Sequence, residues 1–291
     1  MVKVRDLTVS LINPDQQDTR GFFRILSLAL RHYGLLGAFG RWVILKDELR
    51  KFVKGIGMEG ATDESFRKEL LRKFNKINRH IICAHNPYEF VLLAKYILNS
   101  DLPGPIVECG CYKGGGTAKL SILAEYLGRK LYVFDSFCGL PRERVKGEMT
   151  LYGHGGTSDY RFEEGQYLGT LGEVKANVEK HGSIDVCEFV PGFFEDTLSG
   201  MQIEPSFVIM DVDLISSART CLEHLWPRTV PGGYWFTHEA RFTNYILGIF
   251  DEEWWRETFN ESPPLVMGAG SGLSTIAEGF AYFRKKPQGA K

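Results

Sequence analysis

Hydrophobic and polar positions along the chain follow two different periods, and the change falls near residue 80. Before that point apolar residues recur at helical spacing, most clearly in "TDESFRKELLRKFNKINRHII", which begins with Thr62 or Asp63 as a helix cap. The apolar side chains on one face of this segment are Phe66, Leu70, Leu71, Phe74 and Ile77. The pattern predicts a helical N-terminal extension over residues 1–80 that packs on the rest, acts as a lid or forms a dimer contact. Attachment to a membrane surface is the alternative.

After residue 80 short apolar runs alternate with helical patterns. The runs are Ile106–Val107, Leu131–Phe134, Val186–Val190, Phe207–Met210 and Tyr234–Thr237. Strands separated by helices of this length predict a parallel sheet covered on both faces. The final segment, "PPLVMGAGSGLSTIAEGFAYFRKK", instead has two apolar runs joined by glycines, which predicts an antiparallel pair at the end. We therefore expect an α/β domain over residues 81–287.

Composition and charge exclude several classes of protein. The 291 residues are 44% hydrophobic and 24% charged with a net charge of -1, so nothing in the overall charge draws the chain to nucleic acid or to a membrane. No apolar stretch reaches the length of a membrane span, and the first residues lack a signal-peptide pattern. The six cysteines have neither zinc nor redox spacing, so reduced thiols and a cytoplasmic location are expected.

A glycine-rich loop follows the first predicted strand in "PIVECGCYKGGG". Its spacing is Glu108-x-Gly110-x-x-x-Gly114, and Tyr112 stands where a dinucleotide fingerprint requires glycine. An NAD-linked oxidoreductase is therefore disfavoured, and no Gly-Lys-Ser/Thr phosphate loop is present. This spacing is typical of S-adenosylmethionine (SAM) methyltransferases, where a carboxylate suits the amino group and sulfonium of the ligand. Asp135 ends the next strand in "YVFDSFCGLP" and is predicted to accept hydrogen bonds from a ribose diol. A turn cap is the alternative role.

Four segments together resemble the macrocin O-methyltransferase (TylF/MycF) family. They are "PGPIVECGCYKGGGTAKLS", "YVFDSFCGLP", "VPGFFEDTL" and "DVDLISSARTCLEHLWPRTVPGG", and the resemblance covers about residues 80 to 285. It implies a Rossmann-like class I methyltransferase fold, with a mostly parallel seven-stranded sheet and an antiparallel last strand. It also implies SAM as cofactor, a small-molecule acceptor and, by analogy, a homo-oligomer such as a dimer.

The resemblance also assigns the cofactor-binding residues. It implies the methionine part of SAM at the glycine loop, the ribose at the second strand end, and the adenine at "VPGFFEDTL", where either phenylalanine alternatively enters the core. The predicted cofactor-binding residues are Glu108, Gly110, Tyr112, Gly114, Asp135, Ser136, Gly192, Phe193 and Asp211.

Candidate catalytic residues follow the later strands in "IMDVDLISS" and "YWFTHEARF". Methyl transfer needs a positioned nucleophile and a group that removes its proton. We predict catalytic roles for Asp211, Asp213 and His238. The resembling family has an Asp-Asp pair that binds magnesium where this chain has His238-Glu239, and Val212 replaces its usual glycine.

Because of this difference from the family, the sequence decides neither whether a metal binds here nor which metal it would be. A site of Asp213, His238 and Glu239 suits manganese, iron or zinc better than magnesium. The alternatives are that the metal has been lost and His238 is a general base, or that His238 is a structural polar residue.

Residues 144–169 have no regular pattern, which predicts a mobile lid. Contact of His154 and Tyr160 with the acceptor or cofactor is one role there, and a solvated position in the loop is the alternative for each. The expected function is O-methylation of a hydroxyl on a small natural-product acceptor, possibly sugar-containing in view of the resemblance. A SAM-binding protein with non-methylating chemistry and an N- or C-methyltransferase are the alternatives.

Overall fold

The computed structural model describes residues 39–40, 42–58, 62–86, 88–153, 159–270, 272–273, 279–287 and 289. The predicted extension is helical where it is described, in α1 (residues 42–54) and α2 (Glu64–His80). Asp63 caps α2, since its carboxylate accepts a hydrogen bond of 2.7 Å from the Phe66 amide. Residues 1–38 of the predicted extension lie outside the described residues.

A six-stranded sheet forms the centre of the described domain. Its strands are β1 (Ile106–Cys109), β2 (Leu131–Asp135), β5 (Cys187–Pro191), β6 (Phe207–Met210), β7 (Tyr234–Thr237) and β8 (Ala281–Arg284). They are arranged in the order β5-β2-β1-β6-β7-β8, and only β8 is antiparallel to its neighbour. A separate antiparallel ladder joins β3 (Thr150–Leu151) to β4 (Tyr160–Arg161). The mostly parallel sheet with an antiparallel last strand is confirmed.

Helices cover both faces of this sheet. They are α3 (Glu89–Leu98), α4 (Gly115–Tyr126), α5 (Leu171–His181), α6 (Phe194–Thr197), α7 (Ile215–Leu225), α8 (Thr243–Ile249) and α9 (Glu252–Phe259), with one 3₁₀ turn at Ile184–Val186. Alternate strand residues enter opposite cores: Ile106 packs in the core shared with α2 to α5, and Val107 packs in the core shared with α7 to α9. None of the helices within the described ranges is long and apolar enough to cross a membrane.

Helix α2 is part of the first of these cores. Leu70, Phe74 and Ile77 are buried in it, and the Phe66 ring stacks on Tyr126 of α4 with ring centroids 3.9 Å apart. The predicted apolar face is the face that packs. Whether the first 80 residues also act as a lid or a dimer contact stays a prediction.

The predicted sheet has seven strands, whereas the main sheet formed by the described residues has six. Met267 lies where the extra strand was expected, and it exchanges two backbone hydrogen bonds with Tyr282 of β8, of 2.8 and 3.0 Å. Gly268, Gly270 and Gly272 then take positive φ angles, which turns the backbone away from extended geometry. The described part of the predicted strand is therefore a single bridge.

Candidate functional site

A cleft opens at the carboxyl ends of β1, β2, β6 and β7. Its empty space is about 800 Å³, including the open mouth. Ligands bind at this edge of doubly wound sheets, where helices leave in opposite directions. The predicted residues that line the cleft are Gly110, Tyr112, Asp135, Ser136, Phe193, Asp211, Asp213, His238 and Glu239. Glu108, Gly114 and Gly192 were predicted to contact the cofactor but are not among the lining residues.

The glycine loop after β1 is shaped by close backbone packing. Gly110 has φ +84°, and a Cβ atom there would lie 1.9 Å from the Asp211 carbonyl oxygen, so no side chain fits. Gly114 has φ +80° and caps the N-terminus of α4. The loop therefore lets the backbone ends of β1 and β6 approach each other at the floor of the cleft.

Glu108 lies behind this loop. It is 2% exposed, and one carboxylate oxygen accepts a hydrogen bond of 2.6 Å from the Thr117 hydroxyl. Burial, reinforced by the charges of Asp211 and Asp135, raises the pKa of Glu108 to about 8. Direct contact of Glu108 with a ligand amino group stays a prediction, and the contact that the structure shows is with α4.

Asp135 forms part of the cleft wall and also organises the surrounding backbone. Its two carboxylate oxygens accept hydrogen bonds of 2.7 Å from the backbone amides of Cys111 and Phe137. Burial raises the pKa of Asp135, whereas these two amide bonds lower it. The ribose and turn-cap roles weighed from the sequence are therefore compatible, because each oxygen has a second lone pair. Next to it, Ser136 donates its hydroxyl to the Gly139 carbonyl over 2.8 Å.

Asp211, Asp213, His238 and Glu239 come together at the ends of β6 and β7. Nδ1 of His238 lies 3.2 Å from Oδ1 of Asp211 and also contacts a Glu239 oxygen. Two groups have ligand atoms within 4.8 Å of one another: His85 with Asp211 and His238, and Asp211 with Asp213 and Glu239. Asp211 belongs to both groups, although it was not predicted as a metal ligand.

The charges in this cluster shift one another's pKa values. Burial and the charges of Glu239 and Asp211 raise the pKa of Asp213 well above its usual value. Burial also raises the pKa of Glu239, aided by the Asp211 charge. Burial opposes ionisation of Asp211 and His238, but their mutual attraction prevails: the pKa of Asp211 is lowered and that of His238 is raised well above its usual value. Nδ1 of His238 therefore lies beside two carboxylates that favour the protonated form of the imidazole.

Four strands end in a similar way around the cleft. Tyr112, Phe137, Asp213 and Glu239 each lie two or three residues beyond a strand, and each has a φ angle between 48° and 62°. Non-glycine residues rarely occupy this left-handed region. Backbone strain in the described part of the chain is thus concentrated around the proposed binding site.

The predicted adenine segment forms one end of the cleft. Gly192 has φ +140°, and both Phe193 and Phe194 line the cleft. Arg144 pairs with Glu195, and its guanidinium lies 5.6 Å from the Phe193 ring centroid. The choice between the two phenylalanines stays open, since neither is confined to the core.

The predicted lid contains regular structure that the sequence did not indicate. The β3–β4 ladder folds within residues 144–169, and Tyr167 and Gln166 line the cleft. Tyr160 does not line it; its hydroxyl accepts a hydrogen bond of 2.6 Å from the Gln166 side chain. His154 lies outside the described residues.

His85 is a site residue that the sequence did not predict. It lies in the loop between α2 and α3, and its Nε2 is 2.9 Å from Oδ2 of Asp211. No sequence motif surrounds His85. Its contact with Asp211 forms only when the loop before α3 folds against the end of β6. Arg144, Gln166 and Tyr167 were likewise not predicted, because they lie in a loop without a recognised motif. Glu195 was not predicted either, although it lies in α6 within "VPGFFEDTL".

Residues 82–246, more than half of the chain, match the macrocin O-methyltransferase (TylF) family. The chain belongs to this family. The match covers the glycine loop, the Asp135 strand end, and both the Asp211 and His238 segments, and confirms the resemblance found in the sequence.

Two relatives that the chain matches are O-methyltransferases by name. An 8-demethyl-8-(2,3-dimethoxy-alpha-L-rhamnosyl)-tetracenomycin-C 4'-O-methyltransferase of Streptomyces olivaceus is 34% identical over 47% of this chain and 53% of its own. A mycinamicin III 3''-O-methyltransferase of Micromonospora griseorubida is 31% identical over 47% and 55%. The chain therefore matches only about half the length of each relative.

A solved structure supports the fold. The O-methyltransferase NovP superposes with a TM-score of 0.53 at 18% identity, covering 84% of this chain and 99% of NovP. This likeness covers a larger share of the chain than the family match does. It confirms the Rossmann-like methyltransferase fold.

Proposed function

We propose that the protein is a SAM-dependent methyltransferase that transfers a methyl group to a hydroxyl of a small natural-product acceptor. The observation that carries the proposal is the single cleft in which Asp135 of β2 and the Asp211–His238 cluster of β6 and β7 face one another. Family membership supports this function over a nicotinamide-linked oxidoreductase. Tyr112 also argues against a nicotinamide cofactor, because it stands where a dinucleotide-binding loop requires glycine.

The cleft has the groups that SAM requires. Asp135 offers its free lone pairs to the ribose hydroxyls, with its carboxylate held in place by the Cys111 and Phe137 amides. Phe193 or Phe194 offers an aromatic face to the adenine. The bare backbone at Gly110 leaves room for the methionine part.

In the proposed reaction the acceptor oxygen attacks the methyl carbon of SAM. The sulfur–methyl bond breaks, its electron pair stays on sulfur, and the hydroxyl proton passes to a base. His238 holds a proton in this arrangement and so is not ready to accept another. The lowered pKa of Asp211 makes it a weak base, so we assign acceptance of the hydroxyl proton to Glu239, which contacts His238 and whose pKa is raised.

A divalent metal is part of the proposal, and the residues present fit one. Five carboxyl groups line the cleft against two basic groups, Arg144 and His238. Oε2 of Glu239 is buried without a hydrogen-bond partner. Asp211, Asp213, His238 and Glu239 would hold the ion, which would supply positive charge to stabilise the deprotonated acceptor oxygen. A cation and the cationic cofactor together would offset the excess of negative charge.

The acceptor class is inferred from the named relatives. One of them acts on a rhamnosyl-tetracenomycin and the other on mycinamicin III, so we propose a hydroxylated, sugar-containing acceptor. Homo-oligomer formation and a cytoplasmic location are further proposals that rest on the resemblance and on the cysteine pattern.

One experiment tests the proposed function directly. SAM binding is measured by calorimetry, and release of S-adenosylhomocysteine is followed with a panel of rhamnosylated and other glycosylated acceptors. We expect micromolar SAM binding and acceptor-dependent release. His238→Ala should abolish turnover and change the SAM dissociation constant less than threefold, because His238 lies at the acceptor end.

Three results would contradict the proposal in distinct ways. NADH binding without SAM binding would favour an oxidoreductase. SAM binding without release on any acceptor would favour a non-methylating SAM-binding protein. Full turnover in His238→Ala would return His238 to a structural role.

A further inference from the structure

Two buried polar atoms without hydrogen-bond partners lie in the same cluster. Among the described residues, Nε2 of His85 and Oε2 of Glu239 are both shielded from solvent and lack a partner. Unsatisfied buried groups are uncommon in folded proteins, because each loses its hydration without replacement. Each of the two residues offers a ligand atom within 4.8 Å of one on Asp211, which points to a cation bound at this carboxylate.

His85 is held rigidly against this carboxylate. Its ring stacks on Phe280 with centroids 5.5 Å apart and meets Phe90 edge-on at 5.1 Å. Nε2 lies 2.9 Å from Oδ2 of Asp211 but without the angles of a hydrogen bond. A ring nitrogen that lies this close to a carboxylate oxygen without a hydrogen bond to it is well placed to share a cation with it.

His238 approaches Asp211 from the other side. Nδ1 lies 3.2 Å from Oδ1 of Asp211, and the opposite edge of the ring fills the space beside Gly279, where a Cβ atom would lie 2.1 Å from Nε2. The edge of the ring that carries Nδ1 is therefore the one that faces the acids. The rings of His85 and His238 meet edge-on at 4.9 Å.

We propose that His85, Asp211 and His238 bind a transition-metal dication such as Mn²⁺, Co²⁺ or Zn²⁺, with Glu239 supplying a further oxygen. The ligand atoms of the first three lie within 4.8 Å of one another. Atoms bound about 2.1 Å from a shared ion lie roughly 3 Å apart, which is the separation that both imidazole nitrogens have from Asp211. The inference rests on the proposed function for its chemical role.

Two imidazole ligands distinguish this site from an all-oxygen magnesium site. Mg²⁺ prefers carboxylates and water in octahedral geometry, whereas imidazole suits manganese to zinc increasingly well. His85 comes from the N-terminal part of the chain, ahead of the sheet. The metal would thus join that part to the strand ends of β6 and β7.

The test uses the full chain freed of metal with a chelator. Co²⁺ and Mg²⁺ are titrated separately against a competing chromophoric chelator or by calorimetry. We expect Co²⁺ to bind at least a hundredfold more tightly than Mg²⁺. His85→Phe, which keeps the stacking on Phe280, should weaken Co²⁺ binding at least tenfold and leave Mg²⁺ binding within threefold; His80→Phe, at an exposed histidine, should change neither.

X-ray absorption of the Co²⁺-loaded wild-type protein provides a readout that needs no variant to fold. Two imidazole ligands are expected, and a shell with none or one would overturn the proposal. Equal affinity for Co²⁺ and Mg²⁺ would overturn it as well. SAM binding is measured on the same samples: lost SAM binding with intact Co²⁺ binding refutes the methyltransferase and leaves the metal site standing, and the reverse result refutes the metal site alone.

Discussion

At the scale of single residues, Asp135 combines the proposed ribose contact with hydrogen bonds that hold the adjacent backbone. We expect Asp135→Ala to weaken SAM binding at least tenfold, because the ribose diol loses a charged acceptor and the Cys111 and Phe137 amides lose theirs. Calorimetric titration gives the affinity, and thermal unfolding shows how much of the loss comes from the loop.

Asp185→Ala serves as the matched control, since Asp185 is an exposed aspartate on the 3₁₀ turn before β5. SAM affinity unchanged in Asp135→Ala would refute the ribose assignment.

Glu108 makes the stability of the ligand-free protein depend on pH. Its folded-state pKa of about 8 lies above the ordinary 4.5, so the native state takes up a proton in between. The associated stabilisation is complete below pH 4.5 and is lost as the pH rises through 8. Glu108→Gln keeps an acceptor for the Thr117 hydroxyl and does not titrate. We expect the melting temperature of wild type to fall, relative to this variant, by roughly 5 °C between pH 5 and pH 9.

The exposed Glu223 of α7 provides the comparison. Glu223→Gln should follow wild type at every pH, and a Glu108→Gln curve parallel to wild type would show that burial does not perturb Glu108.

At the scale of elements, the side chain of Asn244 joins the β3–β4 ladder to α8, beside the backbone hydrogen bond from the Thr243 amide to the Tyr152 carbonyl. Asn244 of α8 accepts a hydrogen bond of 2.8 Å from the Tyr152 amide and donates one of 2.8 Å to the Thr150 carbonyl. Asn244→Ala removes both, so we expect hydrogen exchange at the Tyr152 amide to accelerate at least tenfold while strand β1 stays protected.

Leu247→Ala tests the same helix at a position 66% exposed, and it should leave exchange in the ladder unchanged. Unaltered exchange in Asn244→Ala would mean that other contacts hold the ladder.

Sequence patterns predicted the elements because their signals are local. The buried runs of β1, β2, β6 and β7 and the glycines after β1 can be read in neighbouring residues, and so can the carboxylates at the strand ends. The first of the two strands predicted at the end of the chain is only a bridge at Met267, because the glycines that suggested a turn also end the extended backbone. His85 had no local signal, since its contact with Asp211 exists only after the chain preceding the sheet folds onto β6.

At the scale of the whole molecule, α2 shares a core with the sheet although it precedes the family match. Phe74 is fully buried there. We expect Phe74→Ala to lower the free energy of unfolding by about 3–5 kcal/mol, through lost burial and the cavity left behind. Chemical denaturation should show one transition at a lower midpoint, because helix and sheet unfold together.

Lys73→Ala, at the exposed neighbouring position, should change the midpoint little. An early, separate transition in Phe74→Ala would instead show that α2 folds as its own unit.

The left-handed residues after β1, β2, β6 and β7 have a consequence for engineering. Each non-glycine residue in that conformation costs about 1 kcal/mol or more, and glycine would relieve most of it at Tyr112, Phe137, Asp213 or Glu239. On backbone strain alone, selection for thermostable variants would favour glycine at these four turns. Three of the four side chains, those of Tyr112, Asp213 and Glu239, line the cleft. Thermostability and catalytic competence would then oppose each other at Tyr112, Asp213 and Glu239, whereas glycine at Phe137 would remove a buried ring from the core and lose more stability than it restores.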